Sequence, residues 1–522
     1  MHTPRPLPTD PPPLIAALLD PRRYPGAVQQ VDLVQTHISW VLLAGDFAYK
    51  IKQPLKLPFL DFSTLALRQL RCEDELRLNQ RFAPDIYLEV VGIFNTPQDP
   101  QWAGTGAPIE YAVKMRRFDE TARLDRVCAR GELQPRHLSD LAGMLAAFHR
   151  AAASAPDSSD FGSPPQIDAQ AQDNFDNLAS VLPDADWSAR LSALQRWTQA
   201  QMAQLTPLMQ ARQRSGRVRE CHGDLHLANM VLLDGRVRLF DCIEFNENLR
   251  WMDVASEIAF TYTDLLAHGQ PGLAGWLVNE YLSYSGDYEA AQVLRFYAVY
   301  RALVRAKVAG IRARQTGPAA VNDLQEVQAY VALAERLAAP PAPRLVITHG
   351  LSGCGKTVAS TALLQSDLRA ATLRLRSDVE RKRLFGLNAT ARSGSPDSST
   401  RASGPNDGLN QGIYTPQAHR RTFGHLQDIA QKLLNAGWSV IVDATFLRQA
   451  DRAVFETLAH DTGVAFGILA PQATPAQLRE RIEARHALGQ DASEATLEVL
   501  AQQTQVLESL TADERQHLVT MP

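Results

Sequence analysis

No run of 18 apolar residues occurs anywhere in this 522-residue chain, so the sequence offers no helix of the length a bilayer requires. Cysteine is scarce. The five present (Cys72, Cys128, Cys221, Cys242, Cys354) are scattered with no C-x-x-C pair, which argues against a zinc site or a disulfide framework and suits a reducing compartment. An excess of positive charge is also missing: the formal net charge is −4, so no basic field advertises nucleic acid as a partner. Near the start, prolines at positions 4, 6, 8, 11, 12 and 13 precede only six apolar residues, LIAALL. That stretch is too short and proline-laden for a secretory signal. A cytoplasmic protein with small-molecule partners, and with neither nucleic acid nor membrane among them, is the expectation.

What is present divides the chain in two. Residues 1–19 read as a disordered tail, opening on the mobile proline-rich stretch 1–13. From 31 to 118 the pattern is mostly strand (VDLVQ, WVLL, FAYKIK, YAVKM), interrupted by a helical stretch around 64–82. Helical periodicity follows at 135–153 and 170–212, then a strand-rich segment at 217–245, then helix formers over 251–337. The stretch LAAPPAPR predicts a linker at 337–343, which separates a domain at 20–336 from one at 344–522. Beyond it, strands VIT, ATLRLR, SVIVDA and AFGILA alternate with helices, the signature of a parallel α/β sheet. Residues 391–408 are poor in apolar side chains and predict a surface loop.

Chemistry concentrates at two places. Residues 222–229 read HGDLHLAN, and VRLFDCIEF follows. Phosphoryl transfer needs a group to orient the acceptor hydroxyl, oxygen ligands for magnesium and a cation on the nucleotide phosphates. Asp224 is the candidate base, Asn229 and Asp241 the candidate metal ligands, and His222 a brace for the loop. In FAYKIK, Lys50 and Lys52 fall on one face of a strand. Lys50 is favoured as the phosphate-binding cation with Lys52 in reserve, and Glu75 is favoured over Glu73 as its helical partner.

The second place is GLSGCGKT at 350–357, a complete G-x-x-x-x-G-K-[ST] loop between an apolar strand and a helix. Gly353, Cys354, Gly355, Lys356 and Thr357 would cradle phosphates, with Thr357 also a metal ligand and Cys354 a small filler. Asp378 at the end of a strand is the candidate acceptor base, with Arg376 or Arg381 to clamp substrate anions. The bland alternative for Asp378 is a helix N-cap. Asp443, ending SVIVD, sits where a water-mediated metal ligand belongs. Arg481 and Arg485, four apart on one helical face, suit a lid over phosphates, or else plain surface ion pairs with Glu480 and Glu483.

HGDLHLAN, FDCIEF and the later RWMDVASEIAF together resemble the aminoglycoside phosphotransferase/choline-kinase branch of the protein-kinase-like superfamily. The resemblance implies that Asp253 buttresses the catalytic loop and that a hinge near Met115 holds adenine. It departs at the glycine-rich loop, whose place THIS (36–39) takes; Thr36 and Ser39 could use hydroxyls and backbone N–H groups on phosphate there. Residues 344–520 are similar to P-loop small-molecule and polynucleotide 5′-hydroxyl kinases, including zeta-toxin-like enzymes. The expected fold class is an α+β bilobal protein-kinase-like domain followed by an α/β P-loop kinase domain with a parallel sheet. The expected function is a bifunctional phosphotransferase using ATP and Mg2+ on small-molecule hydroxyls. The alternative is a nucleotide-gated regulatory protein in which one domain binds ATP without catalysis.

Overall fold

The computed structural model describes residues 11–57, 60–182, 184–316, 321–389, 412–488 and 492–520. Its contacts separate two compact units, each assembled from three stretches of chain. The first takes 1–140, 148–268 and 296–335; the second takes 141–147, 269–295 and 336–522. Among the described residues no helix is long and apolar enough to cross a membrane.

The first unit is kinase-like. Its antiparallel sheet runs β1 (Val31–Gln35), β2 (Ser39–Ala44), β3 (Phe47–Lys52), β4 (Tyr87–Thr96), β5 (Asp99–Gln101) and β6 (Glu110–Arg116), in the order β1-β2-β3-β6-β4-β5. Strand alternation gives β3 two characters. Tyr49 and Ile51 enter a core with Trp40, Leu42 and Ile93, while Lys50 and Lys52 leave by the opposite face. The proline-rich start does not stay loose to residue 19. Pro13–Leu18 forms a short helix (α1) that inserts Ile15 and Leu18 into that core, both fully buried. Six apolar residues are enough to pack against this sheet.

On the lysine face lies α2 (Leu65–Gln80), opened by Thr64, whose hydroxyl accepts from the Leu67 amide. After the sheet come α3 (Pro135–Ala151), whose middle belongs to the second unit, then α4 (Pro164–Val181), α5 (Ala185–Arg214) and α6 (Val254–Ala267), with one short antiparallel hairpin and one further antiparallel strand pair between α5 and α6. α6 is buried all round, which suits a helix that supports a site rather than shields one.

The second unit holds a four-stranded parallel sheet of β7 (Arg344–Thr348), β8 (Thr372–Arg376), β9 (Ser439–Asp443) and β10 (Ala465–Leu469), ordered β8-β9-β7-β10. β7, β9 and β10 are nearly continuous apolar runs, as buried parallel strands are, whereas edge strand β8 alternates leucine with arginine. One covering helix, α7 (Pro271–Ser285), precedes the linker in sequence. It packs on edge strand β8 and on the helix Lys356–Gln365 (α8). The approach is close: a Cβ on Gly272 would stand 2.3 Å from the Gln365 carbonyl oxygen. The segment 391–408 lies outside the described residues.

Candidate active sites

In the first unit the two lysines of β3 meet one carboxylate. Glu75 of α2 accepts from Lys50 Nζ at 2.8 Å with one oxygen and from Lys52 Nζ at 2.7 Å with the other. Glu73, two residues back on the helix, faces outward and bonds Gln69 instead. Lys50 continues to Asp241, and Lys52 to Glu244. Lys52 is fully buried, whereas the Asp241 side chain is 46 % exposed. Lys50 therefore stands at the open end of a buried charge ladder and Lys52 at its closed end. Burial opposes the charge of Glu75, but the two ammonium groups outweigh it and hold the carboxyl near 2. Burial instead pushes Glu244 up, against the pull of Lys52.

Asp241 has a left-handed backbone (φ 64°), uncommon for a non-glycine residue and sustained only where neighbours fix it. Its amide donates to the Tyr87 hydroxyl at 3.0 Å, and the next amide, of Cys242, donates to Asn79 Oδ1 at 2.9 Å. Asn229 Nδ2 donates to the backbone oxygen and to Oδ2 of Asp224 at 3.0 and 3.1 Å, so its Oδ1 is the atom to offer a cation. Asp241 and Asn229 thus supply oxygen donors of the type hard divalent cations take. Partial burial opposes ionisation of Asp224, yet His226 at 3.2 Å, with Arg305 and His222 behind it, keeps the carboxyl well below its usual range. An ionised Asp224 can accept a hydroxyl proton and orient the donor.

The loop is braced from two sides. His222 Nε2 donates to the Phe240 carbonyl at 2.9 Å, which ties Asp224 to the strand that delivers Asp241. Beneath it, Glu257 of α6 accepts from the amides of His222 and Gly223 at 2.6 and 3.0 Å, while its other oxygen pairs with His149 at 2.6 Å. Asp253, expected to support the loop, does something else. It forms a two-pronged pair with Arg212 at 2.7 and 2.9 Å and caps α6 through the Ala255 amide. Glu257 lies one turn further along, which points its carboxylate at the loop. Gly223 is required by its φ of 96° and by the Leu249 carbonyl 3.1 Å from where a Cβ would sit.

The turn that replaces a glycine-rich loop closes on itself. Thr36 Oγ1 accepts from the Ser39 amide at 2.9 Å, and the Thr36 amide returns to the Ser39 carbonyl at 2.9 Å. The Ser39 hydroxyl is fully buried. The Thr36 hydroxyl is thus engaged within the turn, and the Ser39 hydroxyl is closed off from solvent. Met115 lies on β6 opposite Ala48.

In the second unit β7 leads into residues 350–357, and three glycines with positive φ (Gly350, Gly353, Gly355) bend the chain around. Gly355 starts α8 with no side chain capping it, which leaves the first-turn amides for an anion. Lys356 Nζ folds over the loop, donating to the carbonyls of Gly350 and Leu351 at 2.9 and 2.8 Å. Cys354 packs with Leu478, Ile482 and Leu500 as a small apolar filler. Arg481 Nη1 donates to the Gly353 carbonyl at 3.3 Å, so this guanidinium stands at the loop. Arg485 lies on the same helix, but its side chain is outside the described residues. Asp443 ends β9 beside α8, accepting from Ser360 Oγ at 3.2 Å, and pairs in register with Arg376. Asp378 sits in the first turn of the helix Ser377–Leu384 (α9).

Comparison with known proteins matches residues 60–294 to the phosphotransferase enzyme family (APH) and residues 345–510 to an AAA domain (AAA_33). The uncharacterized protein Rv2004c of Mycobacterium tuberculosis is 30% identical over 474 residues, covering 90% of this chain and 89% of its own length. The uncharacterized protein Mb2027c of Mycobacterium bovis gives the same figures. The chain belongs to the same family as these mycobacterial proteins. Solved structures similar to it include a choline/ethanolamine kinase family protein from Mesorhizobium loti, at 13% identity and a TM-score of 0.39, covering 61% of this chain and 90% of that one. Another is amicoumacin kinase hAmiN, at 11% identity and a TM-score of 0.38, covering 62% and 91%.

The chain thus joins a phosphotransferase-family domain to a P-loop domain of the AAA_33 type. Each motif falls inside its matched segment. The structure joins Lys50 to Asp241 and Asn229 to Asp224, and it sets Lys356 and Arg481 on the loop that ends in Thr357, with Asp443 bonded to Ser360 on the following helix. Sequence reasoning missed Glu257, Glu244 and His226. The first lay in plain view as Asp253-x-x-x-Glu257, a helical spacing that turns both carboxylates inward.

Proposed function

We propose that this protein is a bifunctional ATP- and Mg2+-dependent phosphotransferase, each domain moving the γ-phosphoryl group to a hydroxyl of a small molecule. In the first site Lys50 would neutralise phosphate charge, Asn229 and Asp241 hold magnesium, and Asp224 orient the acceptor hydroxyl. In the second, Lys356 and the loop amides would hold phosphate, Thr357 and Asp443 the metal, and Arg481 would close over it. Asp378 would accept the hydroxyl proton there. Arg381, whose guanidinium lies 4.8 Å from the Tyr414 ring, would draw in an anionic acceptor.

The observation that supports this reading most is the Glu75–Lys50–Asp241 chain together with the Asp224–Asn229 pair, the charged groups that phosphoryl transfer calls for. The closed Thr36–Ser39 turn favours the second reading, a first domain that binds ATP without transferring it. The Asp224–Asn229 pair, intact alongside Asp241, speaks for the first reading. A cytoplasmic setting without nucleic-acid or membrane partners fits the absence of a basic excess in the sequence.

A metabolite-extract screen with γ-labelled ATP decides between them. Asp224→Asn should remove one labelled product and Lys356→Ala another. If Asp224→Asn changes no product while the first domain still binds ATP, the second reading replaces the first.

A further inference from the structure

Arg374 is a guanidinium buried in the middle of strand β8, only 4 % exposed. A full charge at that depth is costly unless it is hydrogen-bonded. Its Nη1 reaches the first two turns of α8, donating to the Thr357 carbonyl at 3.2 Å, to Ser360 Oγ at 3.3 Å and to Thr361 Oγ1. Ser360 Oγ in turn donates to Asp443 Oδ2 at 3.2 Å and lies 3.1 Å from the Thr357 carbonyl. One guanidinium therefore grips both the helix turn that carries Thr357 and the hydroxyl that orients Asp443.

Arg374 is itself held by the helix that precedes the linker. Its guanidinium lies 5.5 Å from the Trp276 ring, and its backbone amide donates to Asn279 Oδ1 at 2.7 Å. Trp276 also packs into the apolar cluster under α8, with Val346, Leu363 and Leu364.

We propose that Arg374, clamped by Trp276 and Asn279, is a positioning residue of the P-loop site, and that it sets the relative placement of Thr357 and Asp443 for magnesium. This rests on reading the loop as a nucleotide–metal site. Arg374 touches neither phosphate nor metal. It acts on the metal side of the site and leaves the loop amides and Lys356 unchanged. A helix encoded before the linker is thereby part of the second site.

The test uses the full-length protein and a fluorescent ADP analogue, with the second-site signal defined as the portion lost in Lys356→Ala. Affinity is measured in EDTA and again with Mg2+. Arg374→Met is expected to keep its EDTA affinity while the tightening by Mg2+ falls about tenfold, the effect of losing about one charge-assisted hydrogen bond. Trp276→Phe retains a ring face and should behave as wild type, whereas Asn279→Leu should follow Arg374→Met more weakly. If Arg374→Met does not fold, Thr361→Val, which removes one acceptor of the guanidinium, should still reduce the tightening by about threefold. Undiminished tightening in Arg374→Met, or in Thr361→Val in its place, overturns the positioning role and leaves the nucleotide site standing. A wild-type protein with no Lys356-dependent binding overturns the nucleotide-site reading, and the proposal with it.

Discussion

Replacing Glu257 should damage the first domain more than any substitution on its surface. The carboxylate is 1 % exposed and satisfies three groups: the His222 and Gly223 amides and the His149 ring. Glu257→Ala strands two buried amides and a buried imidazole, and breaking such a charged contact costs about 3–5 kcal/mol. For a unit of this size that lowers the melting temperature by roughly 10 °C. Glu257→Gln keeps an acceptor for the loop and should cost less than half as much. The acid side gives an independent reading. Burial opposes the charge, but His149, His222 and the loop amide outweigh it and lower the carboxyl from 4.5 to about 2. A depressed pKa stabilises the folded state above the unfolded value. About 3 kcal/mol is therefore present above pH 4.5 and is lost as pH falls toward 2. Differential scanning calorimetry from pH 7 to pH 3 on the wild type and Glu257→Gln measures both effects. An alanine variant melting within about 2 °C of wild type would refute the bracing role, as would a glutamine variant with the wild-type acid slope.

The buried ladder separates the two lysines. Lys52→Met leaves Glu75 and Glu244 facing each other without the charge between them and should cost about 3–5 kcal/mol in chemical denaturation. Lys50→Met should instead abolish phosphotransfer by the first domain in the labelled-ATP assay while the fold is kept, since Glu75 retains Lys52. Gly272→Ala puts a methyl 2.3 Å from the Gln365 oxygen, and the second unit should lose about 1–3 kcal/mol in thermal melts. Arg452 is buried, pairs with Glu514 at 2.6 Å and donates to the carbonyls of Phe446, Leu447 and Glu508. Arg452→Lys cannot reach all of these and should destabilise the same unit by about 2 kcal/mol or more by calorimetry.

Both motifs were legible because their chemistry is local. HGDLHLAN and GLSGCGKT each place their key atoms within eight residues, where backbone geometry fixes the outcome. Lys50 and Lys52 were legible as a pair on one face from alternation alone. Which of them met the open cleft depended on Asp241 and Glu244, about 190 residues away in sequence. The loop brace was assigned to Asp253 because resemblance fixed the region but not the helical turn. The role of α7 was hidden for a different reason. A proline-rich linker marks where the chain can bend, but not which helices cover an exposed edge strand, and β8 found its cover in residues before that linker.

The proposed function requires one polypeptide to bind nucleotide at two sites. Equilibrium dialysis with a non-hydrolysable ATP analogue and Mg2+ measures that directly. The wild type should bind two equivalents per chain, and Lys50→Met and Lys356→Ala should each bind one. A single equivalent in the wild type, or one substitution that removes all binding from a folded protein, would contradict it.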